Sequence, residues 1–381
     1  VYALEAKGKR SLRRTRLIWE FRPKDGIGGF LTAPAVGAGL VFVGSDTGKL
    51  YALKVTNGRK VWEFKASCYI RNSPALDLKR QRVYFGAEDL TIYCLNMKTG
   101  ALLWRSRLNG SSMEFFPVID RSGKTIFWRT SPSGEAWHAL RVGDQVLCRA
   151  AGVDPGPDLH VGPEDKSCDP NASPTWEGVR RENEEILKLL KQDPGLETLY
   201  AIDSETGKKR FTVPVLWCGG EGQPGMPPVV ALDGRVFTRI RSYYSNYDRY
   251  NVAYAFAGIG TIDLQTGFVS VWNYRRGTIP VSISDEVYAA TIGGRRIFFM
   301  SHNDTLSTVT LDEARVAHTI MGSRDGPWYV YARNVPFVGP TKTRFIRNTF
   351  DERSVPSMGP MIYDKYVVWI GGGIVGCFQG K

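Results

Sequence analysis

A β-hairpin that recurs at a fixed interval limits what this chain can fold into more than any other feature of the sequence. Residues 50–64 alternate apolar and polar positions, turn at Gly58 and continue into a short strand that carries Trp62. The pattern returns 42 positions later, with Gly100 and Trp104 at the matching places. One twisted sheet cannot bury both faces until neighbours stack on it, so a strand repeat of this length predicts the blades of a β-propeller.

The repeat resembles that of the pyrroloquinoline-quinone (PQQ)-type propeller family, which has an Ala-x-Asp-x-x-Thr-Gly-x-x-x-Trp core. The matching residues are Ala52, Gly58 and Trp62; Asn96, Thr99, Gly100 and Trp104; and Ala201, Asp203, Thr206 and Gly207, with Phe211 in place of Trp. The resemblance implies an all-β fold of four-stranded blades. It says little about function, because the family includes quinoprotein dehydrogenases, the outer-membrane assembly lipoprotein and cofactor-free subunits of larger assemblies.

We predict one all-β domain over residues 1–381, a β-propeller of seven four-stranded blades, with six or eight blades as alternatives. Two insertions interrupt the template, at about 131–197 and about 241–256. In the first, apolar residues spaced among charged ones predict an amphipathic helix over Trp176–Gln192. The first repeat lacks its leading strands and the last repeat lacks its fourth strand, which predicts closure of the ring between the termini.

Both insertions are predicted to bind partner proteins, because the repeat does not need them in order to close. The second is rich in tyrosine, which offers a large contact area and a polar tip at low entropic cost. For each insertion, packing on the chain's own blades is the alternative. The predicted contact residues are Tyr243, Tyr244, Tyr247 and Tyr250, with Ile186, Leu187 and Leu190 of the helix.

The chain is basic, with a net charge of +12 and a pI near 9.4. This charge favours partners with acidic surfaces, and because the basic residues are scattered in pairs, it favours protein over nucleic acid. The sequence has no apolar run of about 20 residues, so no transmembrane helix is predicted. It opens on Val1 without a signal peptide, so we expect targeting sequence to be missing; the resemblance implies an extracytoplasmic location, such as the periplasm.

Six cysteines form no Cys-x-x-Cys pair, which excludes the usual zinc-ribbon and covalent haem signals. Cys94 and Cys377 lie in strand-like runs and are predicted to be buried thiols. Cys148 and Cys168 bracket a loop rich in Pro, Gly and Asp that a disulfide would stabilise. We predict that disulfide in an exported protein.

No reactive constellation is found in the sequence. The four histidines lack zinc-ligand spacing, and no Gly-x-Ser-x-Gly elbow is present. Asp46, Asp203 and Asp263 each lie beside a turn, which predicts capping of the backbone. The adjacent Cys-Cys pair typical of quinoprotein dehydrogenases is absent, which argues against PQQ. No catalytic residue, metal site or cofactor is predicted.

These observations favour a non-catalytic scaffold in an extracytoplasmic multi-subunit complex, of which a haem-containing redox complex is one kind. The alternative is a quinoprotein-like oxidoreductase, or another enzyme that uses the propeller channel and is covered by the insertions. The repeat also predicts that Trp62, Trp104 and Trp272 are buried between adjacent blades. Trp272 follows Gly267 by five positions, where the template has four, which predicts a β-bulge.

Overall fold

The computed structural model describes residues 1–4, 16–23, 29–112, 115–152, 175–217, 227–243, 257–272, 290–293, 296–300, 306–310, 316–319, 346–347, 361–363, 366–371 and 374–379. Strands dominate these residues. The helices among them are α1 (Ala136–Ala150) and α2 (Trp176–Gln192), and a 3₁₀ turn covers Pro194–Leu196. In this part of the chain the predicted all-β class is confirmed.

The strands follow one another in short segments of two to six residues. In chain order they are β1 (Tyr2–Leu4), β2 (Leu17–Glu20), β3 (Ala35–Gly37), β4 (Leu40–Gly44), β5 (Lys49–Lys54), β6 (Lys60–Lys65), β7 (Ala75–Asp77), β8 (Arg82–Ala87), β9 (Thr91–Asn96), β10 (Leu102–Arg107), β11 (Val118–Ile119), β12 (Thr125–Arg129), β13 (Leu199–Asp203), β14 (Lys209–Thr212), β15 (Val229–Val230), β16 (Val236–Arg241), β17 (Ala257–Ile262), β18 (Val269–Trp272), β19 (Ala290–Gly293), β20 (Arg296–Met300), β21 (Leu306–Thr310), β22 (Val316–Thr319), β23 (Ile346–Arg347), β24 (Met361–Tyr363), β25 (Tyr366–Gly371) and β26 (Ile374–Gln379).

These strands form four-stranded sheets of the kind expected for propeller blades. Five sheets take four consecutive strands each, from β3–β6 through to β19–β22, and β1 pairs with β2 in a two-stranded sheet. The last sheet has the order β23-β26-β25-β24. The segments predicted to be insertions lie between β12 and β13 and between β16 and β17. A count of seven blades stays a prediction, as does a single domain over residues 1–381.

Two details of the last sheets differ from the sequence-based expectations. The last repeat does not lack a fourth strand, because β23 pairs with β26 and supplies one. The bulge expected at Trp272 is also wrong: Ile262 pairs with Val269 and Ile259 with Trp272 in unbroken register. The irregularity lies instead in the template hairpins, where the register shifts between β5 and β6 and between β9 and β10.

By compactness the chain divides into two units. The first contains Val1–Ile119, Gly123–Thr130 and Ile202–Arg210, and the second contains Asp120–Ser122, Ser131–Ala201 and Phe211–Lys381. In the first unit one apolar cluster packs Phe42, Leu50 and Ala52 against Val83 and Phe85, so the facing sides of two successive sheets bury each other. This stacking is the physical reason for the repeat.

In three successive sheets, a tryptophan on the outer strand contacts the turn of the next sheet. In the first unit, the indoles of Trp19, Trp62 and Trp104 lie against Gly58, Gly100 and Gly207. Each indole Nε1 also donates to a backbone carbonyl, those of Val55, Met97 and Ser204, at 2.7, 3.1 and 3.0 Å. The three glycines have φ of 69°, 73° and 70°, and a Cβ on any of them would lie within 2.7 Å of an indole atom. Each position therefore requires glycine for two reasons, the positive φ and the lack of room for a Cβ.

The burial of these tryptophans is less complete than the sequence suggested. Trp19 is buried, whereas Trp62 and Trp104 are only partly buried. The side chain of Trp272 lies outside the described residues. In the second unit Phe211 takes the tryptophan position and packs against Gly267, without an N–H to donate.

Candidate interaction site at the two insertions

The first insertion contains two helices where the sequence predicted one. Helix α2 has the predicted bounds, and the Thr175 hydroxyl caps it by accepting from the N–H of Gly178 at 3.1 Å. Helix α1 was missed, because Gly143 and two valines lower the helix propensity of its sequence. Gly143 lies close to a neighbour, since a Cβ there would be 3.2 Å from the Leu216 side chain.

The apolar stripe of α2 packs on the chain's own structure. Ile186 and Leu190 are 3% and 4% exposed, and the helix contacts α1 and β18. Of the three helix residues predicted to bind a partner, only Leu187 presents substantial surface, at 39% exposure. The stripe therefore covers a flank of the chain itself, which was one of the two alternatives.

Asn183 holds α2 to the outer edge of β18. Its amide oxygen accepts from the N–H of Val269 at 2.8 Å, and its amide nitrogen donates to the Val269 carbonyl at 2.9 Å. The side chain pairs with the strand as a neighbouring strand would. The exposed edge that a terminal strand normally leaves is thus closed at this residue.

Glu182 holds the same helix to the residues that follow β16. One carboxyl oxygen accepts from the Ser242 hydroxyl and the other from the N–H of Tyr243, both at 2.7 Å. Glu182 is 3% exposed. Burial raises the pKa of Glu182 to about 7, against the opposing effect of the two hydrogen bonds.

Helix α1 binds Arg241, the residue before Ser242, through the carboxylate of Asp144. The Arg241 guanidinium donates to both oxygens of Asp144, with Nε to Oδ1 at 2.9 Å and one Nη to Oδ2 at 2.7 Å. Burial raises the pKa of Asp144, although the Arg241 charge opposes the shift. A planar, bidentate ion pair of this kind fixes orientation as well as distance.

The acidic side chains of both helices therefore bind three consecutive residues, Arg241, Ser242 and Tyr243, where the tyrosine-rich insertion begins. Tyr243 itself is buried, at 8% exposure, and it packs within the chain. The other predicted contact residues, Tyr244, Tyr247 and Tyr250, lie outside the described residues. The structure thus connects the two insertions, a link that the sequence did not reveal.

The turn aspartates behave largely as predicted. Asp263 accepts from the N–H groups of Gln265 and Thr266 at 2.9 and 2.8 Å, and Asp203 accepts in the same pattern from its own turn. The backbone hydrogen bonds from Thr266 and Gln265 lower the pKa of Asp263. Asp46 differs, because it accepts from Nε of Arg71 at 3.0 Å. The carboxylates of Asp203 and Asp263 therefore stabilise their turns.

Of the four cysteines with a predicted role, Cys94 and Cys148 have side chains that the structure describes. Cys94 is fully buried, as predicted, and burial raises its pKa to about 12, which suppresses the reactive thiolate. Cys148 is buried in α1, whereas Cys168 lies outside the described residues, so their disulfide stays a prediction. Cys377 lies in β26, with its side chain also outside the description.

Within the described ranges, no three His, Cys, Asp or Glu side chains are grouped so that they could hold a metal ion. No helix in this part of the chain is long and apolar enough to cross a membrane.

Comparison with known proteins supports the resemblance over the first third of the chain. Residues 9–136 match the profile of the family described as outer membrane protein assembly factor BamB. The crystal structure of BamB from Moraxella catarrhalis superposes with a TM-score of 0.48 and 12% sequence identity, covering 96% of this chain and 86% of that one.

Two dehydrogenases are similar over shorter segments. A quinoprotein ethanol dehydrogenase from Pseudomonas aeruginosa is 26% identical over 102 residues, 24% of this chain. A 1-butanol dehydrogenase (quinone) from Thauera butanivorans is 23% identical over 111 residues, 26% of this chain. The chain spans only 16% and 18% of the lengths of these two relatives. The predicted similarity to the PQQ-type repeat is therefore confirmed, and over residues 9–136 the chain is similar to the BamB family.

Proposed function

We propose that this chain is a non-catalytic β-propeller scaffold that binds other protein subunits of an extracytoplasmic, multi-subunit complex. The four-stranded sheets and the similarity to the BamB family support a scaffold or interaction role. The similarity also favours the periplasm or an equivalent compartment. A net charge of +12 favours partners with acidic surfaces.

One observation carries the proposed binding surface. Two insertions, far apart in sequence, are joined where Asp144 and Glu182 bind Arg241, Ser242 and Tyr243. The template repeat needs neither insertion, yet buried hydrogen bonds and an ion pair hold them together. Such contacts give the tyrosine-rich segment a fixed starting point, and a segment with a fixed start loses less entropy on binding a partner.

The predicted contact residues divide into two roles. Tyr243, Ile186 and Leu190 are buried and support the site from within. Leu187, Tyr244, Tyr247 and Tyr250 are the proposed partner contacts. Aromatic anchors at the centre of an interface often contribute about 2 kcal/mol or more each, so the three tyrosines should dominate affinity.

The test is affinity capture of the tagged chain from its native host, followed by mass spectrometry of the co-purifying subunits. The triple change Tyr244→Ser, Tyr247→Ser and Tyr250→Ser should release the partners without altering the thermal unfolding midpoint. Tyr69→Ser, at a tyrosine 48% exposed in the first unit, is the matched control and should retain them. Retention of every partner by the triple variant would contradict the proposal.

Similarity to the two quinone-linked dehydrogenases favours a second candidate, a quinoprotein-type oxidoreductase. Calorimetric titration with PQQ and calcium separates the candidates. Saturable binding, followed by alcohol-dependent reduction of a dye, would support the oxidoreductase. Capture of subunits without PQQ binding would support the scaffold.

A further inference from the structure

Strand β10 is the outer strand of its sheet, which has the order β10-β9-β8-β7. In the described part of the chain, no strand lies beside its outer edge. From Trp104 to Arg107 its register with β9 is regular. An edge of this kind presents alternate N–H and C=O groups to a further strand.

The two faces of β10 differ. Trp104 points towards the next sheet, where its indole lies against Gly207. Arg105 and Arg107 share the opposite face, since strand side chains alternate, and both are exposed. Neither makes an ion pair with any residue that the structure describes. Leu102 and Leu103 add apolar surface at the start of the strand, with exposures of 44% and 45%.

Two other outer strands, β6 and β18, lack this combination. In β6, which holds the equivalent place in the preceding sheet, Glu63 pairs with Lys49 and Lys60 at 2.9 and 2.5 Å and balances the local charge. In β18 the side-chain amide of Asn183 already pairs with the backbone N–H and C=O of Val269. Among the described residues, none supplies β10 with a balancing carboxylate or with such a side chain.

We propose that β10 is a strand-addition site for an extended, acidic segment of a partner protein. The segment pairs with the outer edge of β10 through its backbone. Carboxylates at its alternate positions reach Arg105 and Arg107, and apolar side chains near one end cover Leu102 and Leu103. Backbone pairing supplies affinity in this mode of recognition, and the side chains select the partner.

The arginines also decide against a second copy of this chain as the occupant. Antiparallel pairing of β10 with β10 would place two arginines of each copy beside those of the other, and like charges across paired strands destabilise the pair. Basic residues on an edge are a common protection against self-association. The same residues attract a strand of opposite charge.

This site lies in the first unit and does not rest on the function proposed above, which concerns the insertions of the second unit. The probe is a fluorescein-labelled octapeptide of alternating Glu and Val, measured by fluorescence anisotropy. We expect saturable binding that Arg105→Glu/Arg107→Glu weakens at least tenfold. Lys54→Glu/Arg59→Glu, which makes the same charge change at exposed residues of the preceding sheet, should change it less than twofold.

Two further measurements separate strand addition from charge attraction. The same peptide with alternate backbone nitrogens methylated keeps its carboxylates but cannot pair along one edge, and it should bind at least tenfold more weakly. Hydrogen exchange of residues 102–107 should slow when the unmodified peptide binds. A peptide of alternating Lys and Val should bind the Arg105→Glu/Arg107→Glu variant better than the native chain.

Equal binding of the methylated and unmethylated peptides would overturn the proposal, because surface charge alone would then explain the affinity. Absence of saturable binding to the native chain would overturn it as well. So would equal losses in the two charge-reversed variants, since the effect would then follow net charge and not β10.

Discussion

Glu182 gives this fold a dependence on pH that one substitution should remove. The carboxyl is 3% exposed, and its pKa lies at about 7 in the folded chain, against an ordinary 4.5. Because the folded pKa is the higher one, the folded state holds the proton more tightly than the unfolded state does. The contribution of Glu182 to stability is therefore greatest below about pH 4.5 and falls as the pH rises to about 7.

The magnitude follows from the two pKa values. Each pH unit between them corresponds to about 1.4 kcal/mol, so the ionised carboxyl costs the folded state about 3 kcal/mol above pH 8. Glu182→Gln keeps the size of the side chain. Its amide oxygen can accept from the N–H of Tyr243, and its amide nitrogen can donate to the Ser242 hydroxyl.

The assay is denaturant unfolding of both proteins at pH 5, 6, 7 and 8. The native chain should lose about 2.5 kcal/mol more than Glu182→Gln between pH 5 and pH 8, so the variant should be the more stable protein at pH 8. Asp144 also has a raised pKa, but it is present in both proteins and cancels in the difference. Glu184→Gln, at an exposed position of the same helix, serves as the control.

Parallel pH curves for the native chain and Glu182→Gln would refute the reasoning. Such a result would mean that Glu182 titrates at its ordinary pKa, and hence that water or another group reaches the carboxyl in the folded chain.

Other predictions follow from the turns, the strand edge and the cysteines. Gly100→Ala should lower the free energy of unfolding by about 2 kcal/mol or more, whereas Gly39→Ala, with a similar φ of 75° but open space around it, should cost only about 1 kcal/mol in the same assay. Asn183→Ala should cost about 2 kcal/mol and should speed hydrogen exchange in β18, since it leaves buried backbone groups unpaired. Peptide mapping without reductant should find Cys148 joined to Cys168 in exported protein; two free thiols would contradict this.

The repeat could be predicted from the sequence because its signal is local. Gly58, Trp62, Gly100 and Trp104 report on turns and on the strands next to them, and neighbouring sheets satisfy the same geometry each time. Strand β23 was missed for the opposite reason. Its two residues, Ile346 and Arg347, carry no pattern of their own and become a strand only by pairing with β26.

The bulge at Trp272 was mispredicted because spacing alone does not say which hairpin is irregular. The shorter template hairpins reach their tryptophan by skipping a residue in the register, whereas β17 and β18 reach Trp272 through two more regular pairs. The number of positions between glycine and tryptophan does not show whether a residue is skipped in the pairing of the two strands.

The candidate site was only half visible in the sequence. Glu182 falls on the same helical face as Val179 and Ile186, and a carboxylate on an apolar stripe is a detectable signal of a buried polar contact. Its partners, Ser242 and Tyr243, carry no such mark. Asp144 lies on a helix that propensity did not predict, so its pairing with Arg241 depends on tertiary structure alone.

The contacts between tryptophans and turns also bear on how the first insertion can vary. The indole-to-carbonyl bonds of Trp19 and Trp62 span 36 and 35 positions, whereas that of Trp104 spans 100, and yet its geometry is the same. Closing a loop nearly three times as long costs only about 1 kcal/mol of additional chain entropy, because that cost grows with the logarithm of loop length. Segments of very different length and sequence could therefore occupy the place of residues 131–197 while the sheets on either side keep the same contact.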